Sequence, residues 1–276
     1  MLTGIPKPKR HRGQNFLIDK NILRKIIDVA AIRRDEIIVE IGAGTGILTE
    51  ALAQRAKKVI AVELDKGLIP VLQKNIQEYP NVEIVQDNCL DIPLERYGKA
   101  DSDYAVVANI PYNITSRLIR IFLEGHPQPS RMILLVQREV VDRMCAKPPH
   151  MNLLALAVQY YADVRRLFDV SRHCFSPKPS VKSAVVSIVP NKSTLVKGDA
   201  ARTALHEKTF FKLISAAFKG KRKKLASTLF EATHIPKKDI EAILIRLHLS
   251  SSARGQELSL EQWLALTHEL MLSPLP

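Results

Sequence analysis

Four consecutive residues, 109–112 (NIPY), carry groups that could hold a planar amine for reaction. An amine attached to an aromatic ring is a poor nucleophile, because its lone pair is delocalised into the ring. The side-chain oxygen of Asn109 and a nearby backbone carbonyl, such as that of Ile110, could accept its two hydrogens and orient the lone pair. Pro111 stiffens the turn, and Tyr112 offers a face on which a planar base can stack. In isolation the same four residues also fit an ordinary turn.

A glycine-rich loop, residues 42–46 (GAGTG), follows an apolar run and precedes a helical pattern. Glycines at such a junction let a ligand approach the backbone. The third glycine comes one place earlier than in the dinucleotide-binding GxGxxG pattern, and the loop lacks the Lys-Ser/Thr pair of a phosphate-binding P-loop. Glu63, at the end of the next apolar run, could accept hydrogen bonds from both hydroxyls of a ribose. These features indicate a cofactor that contains adenosine.

Asp87 ends the third apolar run and could accept a hydrogen bond from the N6 amino group of an adenine. Dinucleotide enzymes do not need this residue, whereas S-adenosylmethionine enzymes commonly have it. Each feature alone also fits a tight turn or a solvated strand end. Because three features occur in order at successive strand ends, we expect S-adenosylmethionine as the cofactor. Together with the NIPY motif, this predicts methyl transfer to a planar amine.

The elements that must position these residues alternate between strands and helices. Strands are predicted at 36–41, 58–64, 82–85, 104–110, 132–136, 165–170 and 183–189. Helices are predicted at 21–30, 47–55, 67–77, 115–123, 138–144, 153–161, 203–219, 221–230, 237–247 and 259–270. The alternation predicts a Rossmann-like α/β fold with a mostly parallel, doubly wound sheet and a late antiparallel pair, followed by a small all-helical domain.

The predicted domain boundary lies at a polar segment, residues 190–202, which reads as a linker. We expect a cofactor-binding domain with a basic N-terminal arm at 1–190 and a helical RNA-binding domain at 191–276. The net charge of +13 is distributed unevenly. Residues 14–130 carry −2, and the surplus flanks them as +4 in 1–13, +5 in 131–190 and +6 in 191–276. Such a surplus suggests a polyanionic partner around a near-neutral pocket.

Two basic clusters are the candidate phosphate contacts. They comprise Lys7, Lys9, Arg10 and Arg12 in the arm, and Lys221, Arg222, Lys223 and Lys224 near the second domain's first helices. The second cluster, together with Lys219, is expected within about one and a half turns of helix. The alternative to phosphate contact is that these residues form only a solvent-exposed helix face. Aromatic residues make up only 5%, so we expect recognition of folded RNA by shape and charge, with one base extruded.

Several other classes of protein are not expected. No apolar stretch reaches the roughly 18 residues of a membrane helix, and the N-terminal residues lack the apolar core of a secretory signal. Three widely spaced cysteines fit a reduced, cytoplasmic protein, and the absence of CxxC and HExxH motifs predicts no metal site. Nothing in the sequence demands an oligomer, so we expect a monomer.

The motifs together resemble those of the small-subunit ribosomal RNA adenine N6,N6-dimethyltransferases, a class I methyltransferase family. The resemblance covers nearly the whole chain. It is carried by residues 13–19 (GQNFLID), 40–49 (EIGAGTGILT), 63–65 (ELD), 109–114 (NIPYNI), 137–141 (QREVV), 175–179 (FSPKP) and 181–185 (VKSAV), together with Asp87 and the basic stretch at 218–229. It implies dimethylation of two adjacent adenosines near the 3′ end of small-subunit rRNA. It also implies S-adenosylmethionine as the methyl donor, rRNA in the immature small subunit as the partner and a role in ribosome biogenesis.

The same resemblance assigns roles to individual residues. Cofactor contacts are implied for Asn15, Leu17, Gly42, Glu63, Asp87 and Asn109. Gly42 would face the methionine end, Glu63 the ribose and Asp87 the adenine. Asn109 would orient the target amine, while Tyr112 and Phe175 would sandwich the flipped adenine as the remaining catalytic residues.

Two alternatives stay open at this point. One is the related large-subunit rRNA dimethyltransferase group, which often has Lys where this chain has Thr45. The long basic C-terminal region also argues against that group. The other is an RNA-binding assembly factor or a transcription factor on the same fold, against which the intact Asp87, Asn109 and Tyr112 argue.

Overall fold

The computed structural model describes residues 14–191, 200–220 and 223–272, with no side-chain description for 200–203. Strands are β1 (Phe16–Leu17), β2 (Ile37–Ile41), β3 (Lys58–Val62), β4 (Val82–Val85), β5 (Tyr104–Asn109), β6 (Met132–Gln137), β7 (Ala162–Val170), β8 (Phe175–Ser176) and β9 (Ser183–Pro190). Helices are α1 (Lys20–Ala30), α2 (Ile47–Ala53), α3 (Ile69–Asn75), α4 (Thr115–Glu124), α5 (Arg138–Met144), α6 (Leu153–Tyr161), α7 (Ala200–Lys219), α8 (Leu225–Thr233), α9 (Lys237–Arg246) and α10 (Leu260–Leu272).

Seven strands form one sheet in the order β4-β3-β2-β5-β6-β9-β7. The five strands from β4 to β6 are parallel, and β9 runs antiparallel to both of its neighbours. The predicted fold class is therefore confirmed, including the late antiparallel strand. The apolar runs of the central strands β2, β3, β5 and β6 are buried at successive residues rather than at alternate ones, as is typical of parallel strands in an α/β sheet.

A second, two-stranded sheet joins β1 to β8, and the strand pattern did not predict it. Phe16 pairs with Ser176, and Leu17 pairs with Phe175. Each strand has only two residues, which is too short for a periodic signal. This pairing attaches the chain just before α1 to a segment about 160 residues later, on the order of half the sequence.

The chain divides into two compact units whose boundaries differ from the single predicted one. Among the described residues, the first unit contains 14–142 and 162–190, and the second contains 143–161 and the residues from 191 onwards. Helix α6 belongs to the second unit because its apolar side chains join that unit's core. Tyr160 stacks on Phe210 with ring centroids 4.7 Å apart, and Leu156 lies in the same buried cluster as Trp263.

The described lysines of the basic cluster near α8 lie in a turn, whereas the sequence predicted that the cluster lies within a helix. Lys223 donates its backbone N–H to Gly220, and Lys224 has an extended backbone just before the helix. Helix α8 begins only at Leu225, because this turn interrupts the helical hydrogen bonding after α7. Both described lysines are exposed. The other predicted phosphate contacts, Lys7, Lys9, Arg10, Arg12, Lys221 and Arg222, lie outside the described residues.

None of the helices in the described ranges combines the length and the hydropathy needed to cross a bilayer. The same ranges contain no group of three or more His, Cys, Asp or Glu side chains arranged to hold a metal ion.

A buried ion pair between Arg131 and Glu36 fixes the edge of the sheet opposite the strand ends that carry the predicted site. Arg131 precedes β6 and donates from Nη2 to Glu36 Oε2 at 2.8 Å and to the Ala30 carbonyl at 2.7 Å. The Glu36 side chain is 2% exposed. Burial alone would raise the pKa of Glu36, but the hydrogen bonds and charge of Arg131 outweigh it and hold that pKa below its usual value. The pair therefore joins α1, β2 and β6.

We expect Arg131→Met to lower the free energy of unfolding by about 3–5 kcal/mol, because it leaves the buried Glu36 with only the exposed guanidinium of Arg33, 3.9 Å away, as a counter-charge. Urea denaturation at neutral pH measures the effect. Arg33→Met is the matched control: Arg33 is exposed and lies 3.9 Å from the same carboxylate, so its loss should lower stability by less than about 1 kcal/mol. Equal effects of the two substitutions would contradict the assignment.

Candidate active site

A cavity lies at the carboxyl ends of the parallel strands, where a doubly wound sheet binds its ligands. Five segments line it: residues 14–16 before α1, the end of β2 with the glycine loop, the end of β3, residues 87–89 after β4, and residues 109–114 after β5. The strand ends converge there because β2, β3, β4 and β5 are parallel neighbours. The structure thus brings together segments that are nearly one hundred residues apart, on the scale of a whole domain.

The glycine loop is shaped by left-handed backbone at Gly42 (φ 74°) and Gly44 (φ 59°). The backbone N–H groups of Gly42 and Ala43 both donate to the Val62 carbonyl, at 2.8 and 3.1 Å. A Cβ on Gly44 would lie 3.2 Å from the ring of Phe16. These positions need glycine for their backbone conformation, and Gly44 also for its space, so the floor of the cavity consists of backbone.

Glu63 is held by two backbone donors at the end of β3. The N–H of Gly44 donates to Oε2 at 2.9 Å, and the N–H of Asp65 donates to Oε1 at 2.7 Å. A carboxylate has about four lone-pair sites, so each oxygen can accept a further hydrogen bond. The arrangement presents a fixed pair of acceptors to the cavity, which suits two adjacent hydroxyls.

Glu40, in β2, is a second carboxyl group close to Glu63, and the sequence motifs predict no role for it. It is 1% exposed and does not line the cavity. Burial raises the pKa of Glu40 to about 8, the neighbouring Thr49 side chain opposes the rise, and the charge of Glu63 adds to it. Near neutral pH Glu40 is therefore mostly protonated and adds little charge beside Glu63.

The segment after β4 forms a further part of the cavity lining. Asp87 accepts the N–H of Asn88 at 2.7 Å through Oδ1, and Cys89 lies next to them in the lining. Burial raises the pKa of Cys89 to about 11, so this group is a neutral thiol at physiological pH. Leu64, half exposed on the cavity rim, supplies apolar surface that motif reasoning missed, because a single leucine after Glu63 carries no distinctive signal.

Asn109, the last residue of β5, has its amide fixed by the chain before α1. Its Nδ2 donates to the backbone carbonyl of Asn15 at 2.9 Å. The amide oxygen, Oδ1, is therefore the atom of the group that faces away from the Asn15 carbonyl. The following turn is held by backbone bonds from Ile110 to Leu135 and from Ile114 to the Pro111 carbonyl, at 3.1 and 3.2 Å. This anchoring gives the predicted acceptor of the target amine a defined orientation.

Residues 14–18, which we call the N-terminal strap, contact the site at several points. Gln14 Nε2 donates to Asp65 Oδ2 at 3.0 Å, and the Phe16 ring covers Gly44. The N–H of Ile18 donates to the Cys174 carbonyl at 2.9 Å, next to the β1–β8 pair. The strap thereby packs against the glycine loop and is hydrogen-bonded to the residues after β3, to the end of β5 and to β8.

Six of the predicted site residues meet in the cavity lining: Asn15, Gly42, Glu63, Asp87, Asn109 and Tyr112. Leu17 and Phe175 do not. They lie opposite each other in the β1–β8 pair, are 6% and 3% exposed, and belong to the hydrophobic core of the first unit. Because successive side chains in a strand point to opposite faces, Phe16 faces the cavity while Leu17 faces the core.

Comparison with known proteins finds similarity along almost the whole chain. The family described as ribosomal RNA adenine dimethylase matches residues 6–271. A protein named ribosomal RNA small subunit methyltransferase A from Geobacillus sp. (strain WCH70) is 36% identical over 273 residues, 95% of this chain and 91% of that protein. Its namesake from Lachnoclostridium phytofermentans is 38% identical over 262 residues, 92% of this chain and 88% of that protein.

Two solved structures share the fold. One is the 23S rRNA methyltransferase ErmE, with a TM-score of 0.76, 26% identity, and coverage of 93% of this chain and 100% of that one. The other is a dimethyladenosine transferase from Plasmodium falciparum, with a TM-score of 0.76, 27% identity, and coverage of 92% and 96%.

We expect Glu63→Gln to weaken binding of S-adenosylhomocysteine, the demethylated form of the expected cofactor, by about 10- to 100-fold. The amide would turn a donor toward one of the two backbone N–H groups and lose an acceptor for the ribose. Titration calorimetry measures the change. Glu83→Gln in β4 is the control, because Glu83 pairs with Lys58 and Arg96 away from the lining. Equal affinities for Glu63→Gln and the unaltered chain would contradict the ribose assignment.

Proposed function

This chain belongs to the ribosomal RNA adenine dimethylase family, and from that premise we propose that it dimethylates N6 of two adjacent adenosines near the 3′ end of small-subunit rRNA. The family membership makes it an S-adenosylmethionine-dependent methyltransferase. The proposal concerns the choice of RNA, the target nucleotides and the roles of individual residues.

The observation that carries the proposal is the similarity to small-subunit enzymes. Two relatives with that name are 36% and 38% identical over more than nine-tenths of this chain. The 23S rRNA methyltransferase with the same fold is 26% identical. Because both groups share the architecture, fold alone does not distinguish them, and the sequence similarity favours the small subunit over the alternative large-subunit substrate.

The residues of the cavity fit the cofactor. The fixed acceptors of Glu63 suit the ribose hydroxyls, Asp87 suits the adenine amino group, and the backbone floor at Gly42 leaves room for the methionine end. Asn15 and Asn109 border the same space. When bound, S-adenosylmethionine supplies a methyl group that its sulfonium already activates.

The chain's own contribution is to position the target amine. Asn109 Oδ1 and the Ile110 carbonyl accept the two amine hydrogens, which directs the nitrogen lone pair toward the methyl donor. Holding reacting groups in a fixed geometry can lower a barrier by several kcal/mol. Once the methylated nitrogen has released a proton to solvent, one hydrogen remains on it, so a single acceptor can orient the monomethylated amine for the second transfer.

Tyr112 provides the stacking face for the extruded adenine. Its ring lines the cavity beside Asn109, and base–aromatic stacking is worth about 1–3 kcal/mol per base. Phe175 lies in the core, so Tyr112 carries this role in our proposal. Glu40 does not line the cavity, and we assign it no part in proton transfer despite its raised pKa.

RNA outside the cavity would be held mainly through phosphates. The chain has a net charge of +13, and the whole positive surplus lies outside residues 14–130, which carry −2. We assign phosphate contacts to the exposed Lys223 and Lys224 in the turn before α8. Lys223 would exchange its 2.8 Å ion pair with Glu231 for a phosphate oxygen. We propose that the protein acts as a monomer in the cytoplasm, on immature small ribosomal subunits.

Labelled S-adenosylmethionine, incubated separately with small- and large-subunit particles that lack the modification, tests the proposal. We expect the label on small subunits only, at two neighbouring adenosines near the rRNA 3′ end. Asn109→Ala is the matched variant: it should bind the particles but transfer almost no methyl group, since the unmethylated amine loses one of its two acceptors and its lone pair is no longer directed at the methyl donor. Label on large-subunit RNA, or full activity of Asn109→Ala, would contradict the proposal.

A further inference from the structure

Ser183 carries a fully buried hydroxyl that the sequence motifs left without a role. Its Oγ lies 2.7 Å from the Oη of Tyr112, a hydrogen bond in which either hydroxyl can donate. Tyr112 lies in the turn after β5, whereas Ser183 is the first residue of β9. The two residues are 71 positions apart in the chain. A hydroxyl buried this completely needs a hydrogen-bond partner.

The antiparallel direction of β9 explains how this serine reaches the cavity edge. In the parallel strands only carboxyl ends lie at this edge. Because β9 runs the opposite way, its first residue lies there, paired with Gln137 at the end of β6. Tyr112 extends from the end of β5 past β6 to contact β9. A reversed strand therefore supplies the support for a side chain of the site.

The hydrogen bond to Ser183 restrains the ring of Tyr112, whose rotation the backbone contacts of the turn do not limit. The turn is anchored at Ile110 and Ile114, but a tyrosine ring can still swing about its two side-chain torsions. A hydrogen bond at Oη fixes the far end of the ring and thus the angle of its face. Burial raises the pKa of Tyr112, and the Ser183 bond opposes that rise, so the phenol is neutral and able to donate or accept.

We propose that Ser183 is a positioning residue, which holds the ring of Tyr112 at the angle needed to stack the target adenine. This inference rests on the proposed function for its substrate. The alternative is that Ser183 only completes the packing at the start of β9. The two explanations differ in how the loss of the serine combines with the loss of the tyrosine hydroxyl.

A double-mutant cycle distinguishes the two explanations. Ser183→Ala and Tyr112→Phe each break the same hydrogen bond, and each should lower kcat on unmodified small subunits by about tenfold. KM should change less than twofold, because particle affinity comes mainly from phosphate contacts. If Ser183 acts through Tyr112, the double variant loses no more than either single variant.

Two control variants come from the same strand. Ser187→Ala removes a hydroxyl four residues along β9, on the same face of the sheet and away from the lining, and should leave kcat unchanged. Ser183→Thr keeps the hydroxyl and should therefore have a higher kcat than Ser183→Ala. Additive losses in the double variant, or an equal loss in Ser187→Ala, would overturn the proposal.

Amide hydrogen exchange provides a second measurement that does not depend on activity. Ser183→Ala and Tyr112→Phe should both speed exchange in a peptide spanning residues 109–114 and leave the rest of β9 protected. Faster exchange throughout residues 183–190 would instead indicate a packing role and overturn the inference. Should the unaltered protein fail to methylate small subunits, the proposed function is wrong, while the exchange result still decides whether Ser183 restrains the Tyr112 turn.

Discussion

The hydrogen bond from Asn109 Nδ2 to the Asn15 carbonyl is the contact on which the site depends. It joins the last residue of β5 to the N-terminal strap and determines which end of the amide faces away from the strap. Without it the Asn109 amide could rotate, and its oxygen, the acceptor that we propose for the target amine, would have no fixed direction. The strap is itself held by Gln14 on Asp65 and by the β1–β8 pair, so several distant segments contribute to one amide orientation.

The sheet imposes the second constraint, because parallel strands bring their carboxyl ends to one edge. Glu63 at the end of β3 accepts the N–H of Gly44 beside the end of β2, so the two features that we propose for cofactor binding stabilise each other. The antiparallel strand β9 adds Ser183 at the same edge from its amino end. Strands of both directions therefore hold side chains of the candidate site, β9 through the hydrogen bond of Ser183 to Tyr112.

Much of this arrangement could be predicted from the sequence because its signals are local. The glycine loop, Glu63, Asp87 and Asn109 each directly follow an apolar run, so the strand pattern places them at one edge. Long-range pairings give no such signal. The two-residue strands of the β1–β8 sheet, the packing of α6 with the second unit, and the contact between Ser183 and Tyr112 depend on residues far apart in the chain. Phe175 illustrates the limit: the family motif marks it, but its pairing with Leu17 buries it in the core.

The most direct test of the central contact is the single-turnover rate of methyl transfer by Asn109→Asp at saturating cofactor. Aspartate keeps an acceptor for the target amine but replaces the Nδ2 donor with an oxygen facing the Asn15 carbonyl. We predict a fall of at least about 100-fold, because the two oxygens repel and the side chain turns away from the strap. A rate equal to that of the unaltered protein would contradict the claim that the strap orients this amide.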